Sequence, residues 1–217
     1  MPIVPRLGGF HLLKSFLGCI GYIMKDSGLE DVFQLIYPGS ETVEKILSGA
    51  SYYKALSAHF LVDAALRVVI IESEFSDDDM SLLESNMLRC RKEKLGSQYK
   101  NVFIHEVQEI IKKKLNAFAL TGRTATLWLQ YHDQVQLVKD YIRAERLSEF
   151  DNHLASVCEM LPTFAAAGHS QYGKGAPLYL ELMDMNCRQA QHKENSLEFT
   201  QFGTTNACGQ VCGQILQ

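Results

Sequence analysis

This 217-residue sequence contains only five prolines, the residues that most often break helices. It also contains one tryptophan and six cysteines. The cysteines are too scattered for the disulfide framework of a small secreted domain, lying at positions 19, 90, 158, 187, 208 and 212. We therefore expect reduced thiols and an intracellular protein, nuclear or cytoplasmic. Hydrophobic residues make up 47% of the chain and charged residues 21%, so most of it is expected to fold rather than remain disordered.

The sequence also lacks a long apolar run and a strong charge of one sign. The apolar stretch over residues 64–71 is too short to span a bilayer, and Asp63 and Arg67 interrupt its surroundings. We therefore expect no membrane association. The formal net charge of −4 argues against a free-standing nucleic-acid binder, because such proteins need a basic surface. Nucleic acid is expected as a partner only through a longer parent protein.

Segments that alternate apolar and polar residues, as strands do, are also missing. Apolar residues instead recur at the 3.6-residue spacing of helices, and Gly168 is placed to end one of them. The sequence predicts an all-α, irregular multi-helix bundle that forms one domain over residues 1–197. The expected helices cover residues 10–24, 29–36, 41–47, 51–72, 76–95, 102–120, 124–146, a segment from residue 154, and 177–191.

The last twenty residues differ from the rest of the chain. Residues 198–217 are polar, contain several glycines and show no apolar period. We predict a disordered or aberrant tail that is dispensable for folding.

Three polar residues on the expected central helix form a candidate site. His59, Asp63 and Arg67 are four residues apart and therefore share one side of the helix. One interpretation is a histidine that faces a cleft, with Asp63 fixing its tautomer. The other is an ion-paired, solvated stripe, which we favour because such pairs are common on helices. No nucleophile accompanies the three residues, and no catalytic residue is assigned.

A glycine-rich segment over residues 168–175 is a candidate phosphate site. Its sequence predicts a loop before a helix that begins near Pro177, where exposed amides together with His169 and Lys174 would accept a phosphate. The segment is not a Walker A loop, because no strand precedes it and the final Gly-Lys-Ser/Thr is missing.

Neither a metal nor another cofactor is expected. One set of possible zinc ligands has a spacing that matches no known zinc pattern: His153, Cys158, His169 and Cys187. The acidic residues 77–79 follow Ser76 at a predicted helix start, so we interpret them as a helix cap rather than a magnesium site.

Several distinctive blocks resemble a family of large animal proteins that look like products of mobile elements, some with a cysteine-rich Tesmin/TSO1-like CXC module. The resemblance extends over most of residues 7–185, although Ser170 stands where asparagine is expected and residues 209–217 depart from the expected continuation. The blocks are LGGFHLLKSFLGCIG (7–21), SGLE (27–30), LWLQY (127–131), IRAER (142–146) and MLPTFAAAGHSQYGK (160–174).

The resemblance implies a transposase-like parent in which a strand with a candidate catalytic aspartate precedes the GGFH block. That upstream strand is not part of this sequence, so His11 is the one residue carried over as a site candidate. We expect a helical fragment of such a protein without catalytic activity. The alternative is a domesticated helical module that binds another protein.

Overall fold

A computed structural model describes residues 8–92 and 97–197, with side chains placed over residues 8–89 and 104–185. All regular secondary structure within these ranges is helical, which confirms the all-α prediction. The helices are α1 (Gly9–Ile23), α2 (Leu29–Ile36), α3 (Ser40–Leu47), α4 (Tyr52–Glu74), α5 (Asp77–Lys92), α6 (Ser97–Leu120), α7 (Arg123–Leu147), α8 (Phe150–Ala166) and α9 (Ser170–Leu197).

The chain divides into two compact units. Of the described residues, unit 1 comprises 8–56 and 134–197, and unit 2 comprises 57–92 and 97–133. The two divisions therefore fall within α4 and α7. Residues 198–217, for which we predict a disordered or aberrant tail, lie outside the described residues.

The core of unit 1 is built on α1, which packs against α3 and α8. Its apolar face is buried, and Phe16 meets Phe164 of α8 edge-on at a ring-centroid distance of 5.5 Å. Its other face carries small residues where the end of α3 approaches closely. A Cβ added at Gly21 would lie 2.1 Å from the backbone oxygen of Leu47, so this contact requires glycine.

The connection between α8 and α9 is a compact helix-ending turn. Gly168 has a positive φ of 68°. Its N–H donates to the carbonyl of Ala165, and the His169 N–H donates to the carbonyl of Phe164. This pair of bonds is the Schellman motif, which confirms Gly168 as the residue that ends α8.

The predicted start of the last helix is wrong. It begins at Ser170, seven residues before Pro177, so the expected loop is the first part of α9. Gly173 and Gly175 weaken a helix only modestly, and the packing of α8 against α9 offsets that cost. Tertiary packing therefore overrides the local loop signal.

Unit 2 contains most of α4, all of α5 and α6, and the first turns of α7. Within it, α5 packs against α6. α5 starts with a reciprocal cap in which Ser76 Oγ accepts from the Asp79 N–H and Asp79 accepts from the Ser76 N–H. The interpretation of the acidic run as a helix cap is confirmed for Asp79.

Candidate functional site

The polar residues predicted on α4 lie in a buried network within unit 2. His59 is fully buried, and its Nδ1 lies 3.0 Å from the phenol oxygen of Tyr131 on α7. The phenol O–H also donates to the backbone carbonyl of His59 over 3.3 Å. Both contacts are satisfied when Nδ1–H donates to the phenol oxygen, which favours a neutral imidazole with its proton on Nδ1.

The surroundings of this pair suppress its ionisation. Burial lowers the pKa of His59 to about 3, because the imidazolium would lose its hydration. Burial also raises the pKa of Tyr131, and the charge of Asp63 raises it further. A histidine with so low a pKa is a poor proton carrier near neutral pH, since efficient general acid–base catalysis needs a pKa near the working pH.

The second part of the network centres on the carboxylate of Asp63, which is fully buried. One oxygen lies 2.6 Å from Nδ1 of His132 on α7, and the other lies 3.1 Å from a guanidinium nitrogen of Arg67. Arg67 is 45% exposed, so its side chain extends from the buried carboxylate toward solvent. Pairing on both oxygens offsets the cost of burying the negative charge.

The interpretation of His59 as a histidine that faces a cleft is wrong, because His59 is buried and its ring contacts Tyr131. The Arg67–Asp63 ion pair is present, but the stripe is not solvated, because His59 and Asp63 are buried. The histidine that Asp63 contacts on α7 is His132, which the sequence argument did not single out. One available signal was Tyr131, since a tyrosine within an apolar stripe usually finds a polar partner when it is buried.

The remaining predicted residues lie elsewhere. His11 is exposed on α1, where its ring meets that of Phe10 at 5.4 Å. His169 is half-buried between α8 and α9 and contacts the rings of Phe164 and Tyr172. Lys174 is exposed on α9. His169 thus lies in the short turn before α9, whereas Lys174 lies on the helix and not in the predicted loop.

Asp79, at the start of α5, also pairs with Lys114 of α6. This hydrogen bond, together with those from Ser76, lowers the pKa of Asp79 to about 2. The carboxylate is thus engaged in joining two helices, which agrees with its interpretation as a structural cap.

A second buried polar chain, in unit 1, was missed by the sequence argument. His153 of α8 is 3% exposed. Its Nδ1 lies 2.6 Å from a carboxylate oxygen of Glu145 on α7, and its Nε2 lies 3.2 Å from the phenol oxygen of Tyr179 on α9. In the sequence, His153 stands out only as one of four possible zinc ligands, and the spacing from Glu145 to Tyr179 follows no local motif.

His153 and Tyr179 of this polar group line a cavity of about 300 Å³. The cavity lies within unit 1 where α7, α8 and α9 meet, and its lining comprises Ala144, Ser148, Glu149, Phe150, His153, Tyr179 and Met183. It combines an apolar interior with a few polar groups, as small-molecule sites do.

Two further findings concern the described ranges. Among these residues, no three His, Cys, Asp or Glu side chains are grouped so that they would hold a metal ion. None of the helices there combines the length and the apolar character that crossing a bilayer requires.

Comparison with known proteins places the chain in a family but supplies no function. No curated protein and no solved structure matches it. One family model, described as a domain of unknown function (DUF8702), matches residues 1–207. Because this match covers almost the whole sequence, the chain belongs to the DUF8702 family.

Proposed function

We propose that this chain is a non-catalytic helical part of a transposase-like protein derived from a mobile element. The transposase-like origin rests on the sequence blocks of residues 7–174, above all GGFH and MLPTFAAAGHSQYGK. The non-catalytic role rests on the structural role of the buried polar residues within unit 2.

The observation that carries the proposal is the burial of His59 and Asp63. Both side chains have no exposed surface, and both contact residues of α7 through hydrogen bonds. A catalytic acid or base must reach the proton that it transfers. Side chains that join two helices inside a unit serve the fold instead.

A nuclease assay tests the non-catalytic role. Purified protein is incubated with labelled DNA and Mg²⁺ or Mn²⁺, and we expect no cleavage or strand transfer. His11→Ala and Asp63→Asn are the matched variants, because a contaminating nuclease would be unaffected by either. Metal-dependent cleavage by the wild-type protein that either variant abolished would refute the proposal.

A second candidate function is binding another protein, and one observation on α4 favours it. The face of α4 opposite the buried network is also apolar, yet Leu61 and Val68 are each 52% exposed, with Ala64 and Ala65 exposed between them. Helices that are apolar on all sides are usually covered on all sides. An exposed apolar stripe of this kind is typical of surfaces that receive a partner helix.

Fluorescence of a hydrophobic dye, anilinonaphthalene sulfonate, tests whether this stripe is accessible. We expect the double variant Leu61→Gln/Val68→Gln to bind less dye than the wild type at an unchanged melting temperature. Leu35→Gln on α2 is the control, because Leu35 is exposed and belongs to a different helix from the stripe. Equal dye binding by the double variant and the wild type would contradict the assignment.

A further inference from the structure

The cavity in unit 1 has a buried floor and an open rim. His153, Tyr179 and Met183 are each less than a tenth exposed and form the floor with Ala144. Phe150 is 45% exposed and lies with Ser148 at the rim. A volume of about 300 Å³ is near the lower end of the range for ligand pockets, so the cavity suits a molecule of about ten non-hydrogen atoms.

The floor is held in one arrangement by its polar contacts. Glu145 lies 2.6 Å from one imidazole nitrogen of His153, and Tyr179 lies 3.2 Å from the other. The His153 ring also lies 5.0 Å from that of Tyr141. Since these contacts come from α7, α8 and α9, the cavity is formed before any ligand arrives, which reduces the entropy cost of binding.

The lining favours a positively charged ligand. It contains the carboxylate of Glu149 and no lysine or arginine. Asn152 donates to one oxygen of Glu149 over 2.9 Å, but a carboxylate can accept several hydrogen bonds. The end of α7 and the start of α8 meet here, so their opposite dipoles offset each other and the side chains decide the sign.

Aromatic rings support the same preference. Phe150 and Tyr179 both line the cavity, and their ring faces attract cations as well as apolar groups. Met183 adds a polarisable apolar surface to the floor. The lining thus offers apolar contacts for the body of a ligand and negative charge for its head group.

We propose that this cavity is a binding site for a small organic cation, in which Glu149 pairs with an ammonium group and Phe150, Tyr179 and Met183 contact its apolar part. The cavity shares no lining residue with the buried network of unit 2, and the proposed binding requires no catalytic activity of the chain. It also does not depend on the parent protein being transposase-like.

Three probes of similar shape and different charge test this site in the full chain: 2-phenylethylammonium, 2-phenylethanol and phenylacetate. Titrations followed by ¹H–¹⁵N NMR give both the Kd and the residues affected. We expect saturable shifts around Phe150 and Tyr179 with the ammonium probe. Its Kd is expected to be about threefold to fivefold below that of the alcohol, the effect of one partly exposed charge pair, with the acid weakest.

Glu149→Gln removes the proposed counter-charge and is expected to bring the Kd of the ammonium probe close to that of the alcohol. Glu159→Gln is the matched control, because Glu159 is exposed on α8, the helix that Glu149 precedes, but does not line the cavity. The proposal is overturned if no probe shifts the cavity residues, if the alcohol or the acid binds as tightly as the ammonium, or if Glu149→Gln and Glu159→Gln behave alike.

Discussion

Tyr131 and His132 are neighbours on α7, and each holds a different polar residue of α4. Tyr131 contacts His59, and His132 contacts Asp63. Because a buried donor or acceptor that loses its partner costs about 1–3 kcal/mol, these side chains matter to stability more than exposed polar residues of the same helix. For His59, the effect should also be visible as a dependence of stability on pH.

We predict that His59 makes the fold less stable as the pH falls below about 6.5, the ordinary pKa of histidine. Since the pKa of His59 in the folded state is about 3, the unfolded chain binds the proton first. The loss begins near pH 6.5 and continues toward pH 3. At pH 5 it should amount to about 2 kcal/mol relative to neutral pH.

Denaturant unfolding of the wild type and His59→Gln at pH 5 and pH 8 measures this effect. The variant has lower stability at pH 8 but should lose about 2 kcal/mol less between the two values, because it lacks the titrating group. Parallel pH profiles for the two proteins would show that His59 is not the group responsible.

We predict that Asp63→Asn lowers the free energy of unfolding by about 2 kcal/mol or more, because it removes the negative partner of His132 and Arg67 inside the fold. Glu72→Gln serves as the control, since Glu72 is exposed on the same helix and its replacement should change stability by less than about 0.5 kcal/mol. Urea unfolding at pH 7 compares them. Equal, small effects would mean that the buried pairing contributes little.

Within elements, two close backbone contacts account for the glycines on one face of α1. Gly21 lies against the backbone of Leu47, and Gly18 lies against that of Ser48. Sequence periodicity alone marks this face as polar or small. The structure shows that it is a site of close approach to the end of α3, where side-chain size decides whether the two segments can pack.

We predict that Gly21→Ala destabilises the protein by about 1–3 kcal/mol, because the added methyl group forces the backbone of Leu47 to move. Gly173→Ala provides the comparison: its added Cβ meets nothing within 4 Å, so the higher helix propensity of alanine should leave stability unchanged or raise it. Thermal melts of both variants give the answer. Destabilisation of similar size in both would refute the steric explanation.

For the whole molecule, charge limits the partners that the chain can bind by itself. The formal net charge is −4, and Lys114, the last of three consecutive lysines on α6 at residues 112–114, pairs with Asp79. Counterion release from DNA requires several unpaired basic side chains on one surface.

We predict no saturable binding of the isolated chain to a DNA duplex at about 150 mM salt, a concentration at which a protein making several phosphate contacts still binds. Fluorescence anisotropy of a labelled duplex, repeated at about 50 mM salt, provides the measurement. Tight binding that weakens steeply with salt would reveal a basic surface and favour direct action on DNA.

Sequence periodicity determined the helical class and most helix positions, because a 3.6-residue apolar repeat reports which side of a helix is buried. It located α2 at residues 29–36 and placed α7 within one residue at each end. It failed at the start of α9, where Gly173, Gly175 and Pro177 carry loop signals that packing against α8 overrides.

The sequence by itself determined that His59, Asp63 and Arg67 share one side of a helix, because that relation depends only on helical spacing. Only the tertiary structure decided that this side is largely buried and that Tyr131 and His132 contact it. Likewise, Glu145, His153 and Tyr179 meet beside a cavity although they lie on three helices. Such contacts depend on how helices pack, and no local pattern in the sequence records the distance between residues that are far apart in the chain.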